Sequence, residues 1–467
     1  MLVLVMEAST TSGKTMLFDT ERGVQNVRVC TYPADIDDHI SQDTEGVYQL
    51  LVRMGRDMCA ARRVDAVALG GTWHNVAVCD SAMRPVTRTQ SWLDTSAAQT
   101  TARLRADKAL AAFVYHATGC MIHSTYAPYK LMHMREQGLD LTDKFVVDQG
   151  SYNFFRLTGK RLCTASMASG MGLLNIRNLA YEDAVLKLAG ISTEQLGALC
   201  GFSDYAGLTA AGAADMGLPQ GIPVIPAFPD GALNQLGAGA MDSGIMTISV
   251  GTSAAMRTPV HKPATSDCFS TWCYVSAMNT WLSGAATAGA CNCVDWVKKQ
   301  ILGDNYSYDQ LDGANADVKN MPIFLPFIYG ERCPGWDDGR RGGFHALRPS
   351  HRGSDLFAGA KEGVLFNIKQ CYDILTNLNG RPAEIKVSGG ILKSPMWIQM
   401  LSDILTEDLS CADMEQCSLV GGAVIAATAL GSAVTAKDLP ATTVTPDPAA
   451  AKTHRERYER YLALYKT

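Results

Sequence analysis

An aspartate between a proline-closed strand and a glycine is the residue whose surroundings best suit chemistry. Ile222 to Ile225 reads as an apolar strand, and Ile225-Pro226-Ala227-Phe228-Pro229-Asp230-Gly231 follows at once. Proline stops a hydrogen-bonded ladder, and glycine takes backbone angles other residues avoid. Asp230 is therefore expected at a strand end or helix start, either as a working carboxylate or as the cap of a helix beginning near Ala232. Shortly after comes Thr247-Ile248-Ser249-Val250-Gly251-Thr252-Ser253, an apolar strand entering a small, hydroxyl-rich turn. Backbone N–H groups and hydroxyls in such a turn can hold a phosphate. A carboxylate close in sequence to a phosphate turn fits transfer of a phosphoryl group to an alcohol.

The same grammar opens the chain. Leu2-Val3-Leu4-Val5-Met6 reads as a buried strand that delivers Glu7, and Ala8-Ser9-Thr10-Thr11-Ser12-Gly13-Lys14-Thr15 follows. This nearly matches a P-loop, but Ala8 stands where the first glycine belongs. Thr15 to Phe18 is short, apolar and closed by Asp19-Thr20-Glu21-Arg22-Gly23, so a strand–turn–strand hairpin is expected in place of a helix. Two phosphate-type hairpins, at 9–12 and 251–253, point to two similarly folded, facing domains, 1–240 and 241–467.

The elements around them are read from pattern. Val64 to Leu69 is a strand ending at Gly70-Gly71-Thr72-Trp73-His74-Asn75, and Ser91-Trp92-Leu93-Asp94-Thr95-Ser96 lies beyond a turn. Trp73, His74 and Asp94 at strand ends could wall a polyol, the ring stacking and the polar groups reading hydroxyls, or could be core packing and caps. Ala97 to Val114 and Phe145 to Leu157 read as helices, and Ser166-Met167-Ala168-Ser169-Gly170 as a small-residue turn. Trp281-Leu282-Ser283-Gly284-Ala285 reads as another such turn, and Leu356 to Leu378 as one long amphipathic helix. Ile385-Lys386-Val387 opens onto Ser388-Gly389-Gly390, either a plain strand–helix turn or a place where backbone approaches a flat ligand. The charges of Gly330-Glu331-Arg332 are expected in a structural ion-pair network, and those of the last helix, Thr453 to Tyr465, on a solvated face.

A chain of 467 residues, 47% hydrophobic and 19% charged, is an ordinary globular protein too long for one core. A net charge of −5 leaves no footprint for nucleic acid. The apolar start is too short for a signal sequence and no apolar run reaches membrane-spanning length, so a cytoplasmic protein is expected. Its 14 cysteines lack zinc spacing and read as reduced thiols.

Several ordered motifs resemble the FGGY carbohydrate kinases, in particular the gluconate-kinase-like and xylulokinase-like branch, over nearly the whole chain. Thr10-Thr11-Ser12 with Lys14 resembles that family's phosphate hairpin, and Trp92-Leu93-Asp94 its Trp-x-Asp sugar motif. Thr118-Gly119-Cys120-Met121-Ile122-His123, Gly330-Glu331-Arg332-Cys333-Pro334 with Trp336, and Ser388-Gly389-Gly390 with Ser394 and Trp397 are similar to further family segments. Asp230 falls where the family keeps its catalytic aspartate. The resemblance implies an α/β chain of two actin-like (ribonuclease H-like) domains with an ATP/sugar cleft between them, phosphorylating a sugar, polyol or sugar acid. It implies Asp230 as general base and Mg²⁺ near Glu7 and Asp230. Thr10, Thr11, Ser12, Lys14, Gly251 and Thr252 would hold phosphates, and Gly389, Gly390 and Ser394 the adenosine. Trp73, His74, Asp94 and Tyr126 would meet the sugar. A small molecule is the implied partner, with no nucleic acid or membrane, and a homodimer is compatible. Three positions depart from the family: Glu7 replaces Asp, Met121 replaces Pro, and Ser96 replaces an Arg that could pair with a carboxylate. The departures at 7 and 96 support an alternative, a catalytically weakened sensor of the same fold.

Overall fold

The computed structural model describes residues 1–60, 62–278, 280–303, 306–314, 318–319, 321–434, 436 and 439–466. Two sheets built on one plan carry the chain. The apolar strand Leu2–Ala8 returns antiparallel as Ser12–Asp19, setting Glu7 opposite Lys14, and runs parallel to Ala66–Gly71 on its other side. Gly23–Thr31 and Pro223–Pro229 extend this sheet to either side, and the short Ala206–Gly207 strand closes it. In the second sheet Ile245–Val250 returns antiparallel as Ala254–Val260 and runs parallel to Glu384–Ser388. Trp281–Thr287 and Trp272–Val275 lie beyond the hairpin, Leu409–Ala412 and Ala441–Val444 on the opposite side. The mixed α/β class and the repeated hairpin expected from the sequence are both present.

In each half a helix follows the outer parallel strand: Asp230–Gly237 in the first, Cys417–Ala429 in the second. These two helices pack on each other. Their approach leaves no room for side chains at the crossing. A Cβ on Gly237 would stand 1.9 Å from the Cys417 carbonyl oxygen, and one on Gly421 2.1 Å from that of Leu233.

Several local expectations are corrected. Ala97 to Val114 is two helices, Ala98–Arg105 and Lys108–Thr118, because Asp107 accepts from the Ala109 and Leu110 N–H groups and restarts the helix. Phe145–Val147 is a strand paired with Ala77–Cys79, and Asp148 then caps the helix Gln149–Thr158. Small residues at 165–171 form a helix capped by Thr164, and Trp281–Thr287 is a full strand. Pro226 does not end its strand, which continues to Pro229 with its register shifted between Ile225 and Phe228. The last helix, Pro448–Tyr465, is not simply a solvated face: Arg457 donates to both oxygens of buried Glu362, at 2.9 and 2.6 Å to Oε2, with His454 Nδ1 2.8 Å from Oε1. The fourteen cysteines are free thiols, and among the described residues no helix is long and apolar enough to cross a membrane.

Breaking a buried pair strands the remaining charge. Glu362→Gln should therefore lower unfolding free energy by about 3 kcal/mol, read from urea unfolding followed by circular dichroism.

Candidate functional site

Between the two sheets lie two adjoining hollows, of about 830 Å³ and about 180 Å³. Thr10, Asp230 and Arg257 line both, so they stand where the hollows meet.

The larger hollow is framed by strand ends from the two halves. Ser9 N donates to Ser12 O at 3.0 Å across the first hairpin tip, and Gly251 N to Ser253 O at 2.9 Å across the second. Gln42 Nε2 donates to Thr10 O at 2.6 Å and steadies the first tip. Glu7, Thr11, Ser12, Lys14, Gly251 and Gly389 all face this space, and Gly390 borders it. Gly389 has φ +96°, and a Cβ there would fall 2.5 Å from Val250 O, so glycine is required twice over. Lys14 lies on a strand, 3.3 Å from Glu7 Oε1, which excludes the P-loop geometry. Burial works against its charge, but Glu7 more than compensates and holds the ammonium above its ordinary value.

Asp230 is the first residue of its helix, as the Pro-Asp-Gly pattern predicted. Gly231 is not there for an unusual backbone angle. A Cβ on Gly231 would stand 2.3 Å from Cζ3 of Trp73, and one on Gly170 2.0 Å from Cδ1 of the same ring. Trp73 is thus wedged between two glycines beside the carboxylate, with Nε1 donating to Ser166 O at 3.0 Å. Burial, then the Glu7 charge, pushes the Asp230 carboxyl up to about 6, against the pull of Arg257 and Lys14.

Glu7 also accepts from Ser9 Oγ, while its Oε2 is buried without a partner. An orphaned carboxylate oxygen in the same hollow as Asp230 fits a divalent cation. Among the described residues no cluster of three or more acidic, His or Cys side chains is placed to hold a metal. A cation here would draw its other ligands from water and phosphate, as Mg²⁺ commonly does.

The smaller hollow is walled by aromatic rings from both halves. Trp272 stacks on Tyr274 at 4.3 Å, and Trp73 lies 5.1 Å from Tyr274. His74 and Trp92 complete that wall, and Arg332 sits 5.5 Å over the Trp92 ring. Burial and the Arg332 charge drive the His74 pKa well below its ordinary value, leaving a neutral ring whose Nδ1 meets Gly170 O at 2.5 Å.

Of the residues singled out in sequence, Trp73 and His74 reach this hollow, whereas Asp94 and Tyr126 stand outside its lining. Lys130 Nζ lies 3.7 Å from the Asp94 carboxylate and donates to Asp94 O at 2.7 Å, while Tyr126 Oη meets Tyr274 Oη at 2.7 Å. Ser394 is a helix cap, accepting from Trp397 N at 3.3 Å and Lys361 Nζ at 3.0 Å. Thr252 faces a neighbouring pocket with Arg332 and Asn292. Arg332 leaves the expected ion-pair network: Glu331 takes Arg340 and Tyr465, while its neighbour turns towards Trp92. Arg257, Trp272 and Tyr274 also line this hollow, although they belong to none of the motifs read from the sequence. Their signal was alternation: Ala255 and Arg257 on one strand, Trp272 and Tyr274 on another, each pair facing one way.

The FGGY carbohydrate kinase N-terminal domain model matches residues 2–237, and its C-terminal counterpart matches 246–430. A gluconokinase of Bacillus subtilis is 25% identical over 92% of this chain and 88% of its own length. A xylulose kinase of Escherichia coli is 24% identical over 79% of this chain and 77% of its own. The crystal structure of gluconate kinase from Lactobacillus acidophilus superposes with a TM-score of 0.91 at 23% identity, covering 100% of this chain and 98% of that one. That likeness shows a shared fold.

Any side chain at position 231 must displace the Trp73 ring. Gly231→Ala should cost about 2 kcal/mol through overpacking and shift the tryptophan fluorescence maximum. Unchanged emission and stability would mean that the ring is not held there.

Proposed function

The chain belongs to the FGGY family of carbohydrate kinases, and from its site we propose that Asp230 is the general base at the junction of a nucleotide hollow and an acceptor hollow. As a sugar kinase it uses ATP to phosphorylate a carbohydrate. The observation that carries the finer reading is the shared lining: one carboxylate, raised to about 6, borders both hollows.

A sugar hydroxyl is a weak nucleophile, so positioning and charge neutralisation supply most of the rate. The acceptor lies against Trp73, Trp272 and Tyr274 with one hydroxyl directed to Asp230. Asp230 takes the hydroxyl proton as the oxygen attacks the γ-phosphorus, and ADP leaves on the opposite side. Thr10, Thr11, Ser12 and Gly251 offer hydroxyls and N–H groups to the phosphates from the two hairpins, and Lys14 adds a positive charge. Gly389 and Gly390 let the backbone lie close to the nucleoside. Mg²⁺, held through Glu7 and Asp230, would neutralise phosphate charge. Thr10 accepts from Trp92 Nε1 at 3.3 Å, tying the acceptor wall to the phosphate hairpin. The retained carboxylate and both hairpins support catalysis over the sensor alternative.

Asp230→Asn should lower kcat by at least about 1,000-fold while calorimetry gives an ATP Kd within about threefold of wild type. Near-normal turnover would remove Asp230 as the base. The base works ionised, so kcat/KM should fall with decreasing pH through about 6. A carboxyl raised by folding destabilises the native state once it ionises. Asp230→Asn should accordingly raise Tm relative to wild type at pH 7.5, and this advantage should vanish near pH 4.

A further inference from the structure

The acceptor hollow has two ends. It shares Thr10, Asp230 and Arg257 with the nucleotide hollow, and Trp92 and Arg332 with a third space, of about 270 Å³. Among the described residues the nucleotide hollow and the third space have no lining residue in common, so the three lie in series with the acceptor hollow in the middle. Small-molecule sites ordinarily enclose about 300 to 1,000 Å³. At about 180 Å³ the acceptor hollow alone falls short of that range, and joined to the third space it lies within it.

The lining of the third space is mixed in a particular way. The Trp92 ring borders it as well as the acceptor hollow, and Leu93 and Tyr329, 37% and 50% exposed, flank it from the two halves of the chain. The hydroxyl-bearing Thr95 and Thr252 stand between these apolar groups. Asp338 lines the same space with a side chain only 6% exposed. Its Oδ1 accepts from Ser124 Oγ at 2.8 Å and lies 2.9 Å from His123 Nε2, while its Oδ2 is buried without a partner. A buried carboxylate oxygen left unpaired is costly, and a hydroxyl donated by a ligand relieves it. A sugar ring brings both things this lining asks for, an apolar C–H face for the rings and hydroxyls along its edge. A purely apolar substituent would leave Asp338 unsatisfied.

We propose that the acceptor is a glycoside: the unit to be phosphorylated lies in the acceptor hollow with one hydroxyl on Asp230, and a second sugar ring, joined to it by a glycosidic bond, fills the third space beyond Trp92. This rests on the phosphoryl-transfer reading above and extends its substrate. The hydroxyl oxygen forms a bond to the γ-phosphorus, the bond from that phosphorus to the β–γ bridging oxygen breaks, and the hydroxyl proton passes to Asp230. The glycosidic bond is untouched, and the second ring contributes binding energy at a distance from the reacting atoms.

The test pairs each free acceptor with its glucosides: glucitol with maltitol and cellobiitol, gluconate with maltobionate and cellobionate, so that both anomeric linkages are sampled. ADP release with Mg-ATP and calorimetric binding are both measured. In at least one pair the glucoside should exceed the free acceptor by at least about tenfold in kcat/KM. Thr95 and Tyr329 are exposed, so the fold tolerates change at either. Thr95→Trp, which fills the third space, should erase the preference and leave the free acceptor within about threefold of its wild-type value. Tyr329→Ala should weaken the glucoside selectively by at least about threefold. Equal loss for both members of a pair would make these residues structural and overturn the assignment, and so would free acceptors that match or exceed their glucosides in every pair. If no acceptor stimulates ADP release, the phosphoryl-transfer reading is what fails, and tighter calorimetric binding of a glucoside than of its free acceptor still supports the third space as a sugar subsite. Equal or weaker binding would refute it.

Discussion

The crossing of two helices at backbone distance holds the rest of the molecule in its relation. Asp230–Gly237 and Cys417–Ala429 occupy equivalent places after the outer strands of their sheets, and they touch where Gly237 and Gly421 carry no side chain. Had either helix presented even a methyl group there, the halves would sit further apart. The hairpin tips of the two sheets would then no longer face one hollow. The first residue of one of these helices is Asp230, so the contact that joins the halves also positions the carboxylate between them.

Electrostatics at that carboxylate follow from its neighbours. Glu7 and Asp230 share a hollow, and the Glu7 charge makes that of Asp230 costlier, while Arg257 and Lys14 offset part of the repulsion. The result is a carboxyl raised to about 6 by burial and a neighbouring carboxylate together, the range that suits the base proposed above. The glutamate at position 7 preserves the charge on which this depends.

Local signals carried much of this into the sequence. Proline and aspartate mark a helix start by their own geometry, so Asp230 could be placed without tertiary information. Two hydroxyl-rich turns after apolar strands announced the repeated plan. What stayed hidden was set by distant partners. Arg332 and Glu331 are adjacent, yet one turns to Trp92 and the other to Arg340, and nothing in the tripeptide decides which. Arg457 looks like a solvated helix charge until Glu362 is found beneath it. The strand Phe145–Val147 is three residues long, too short for any period to show, and its pairing with Ala77–Cys79 is what makes it a strand. Ser394 sits among motif residues but spends its hydroxyl on a helix end.

The aromatic wall of the smaller hollow is assembled from both halves: Trp73, His74 and Trp92 come from the first, Trp272, Tyr274 and Arg332 from the second. A molecule filling that hollow therefore grips both halves, and so does one reaching from Thr11 to Gly389. Each weights the same relative arrangement of the two sheets. Their affinities are consequently linked through the conformational equilibrium, and whatever factor the first ligand confers on the second is returned in full by the second to the first.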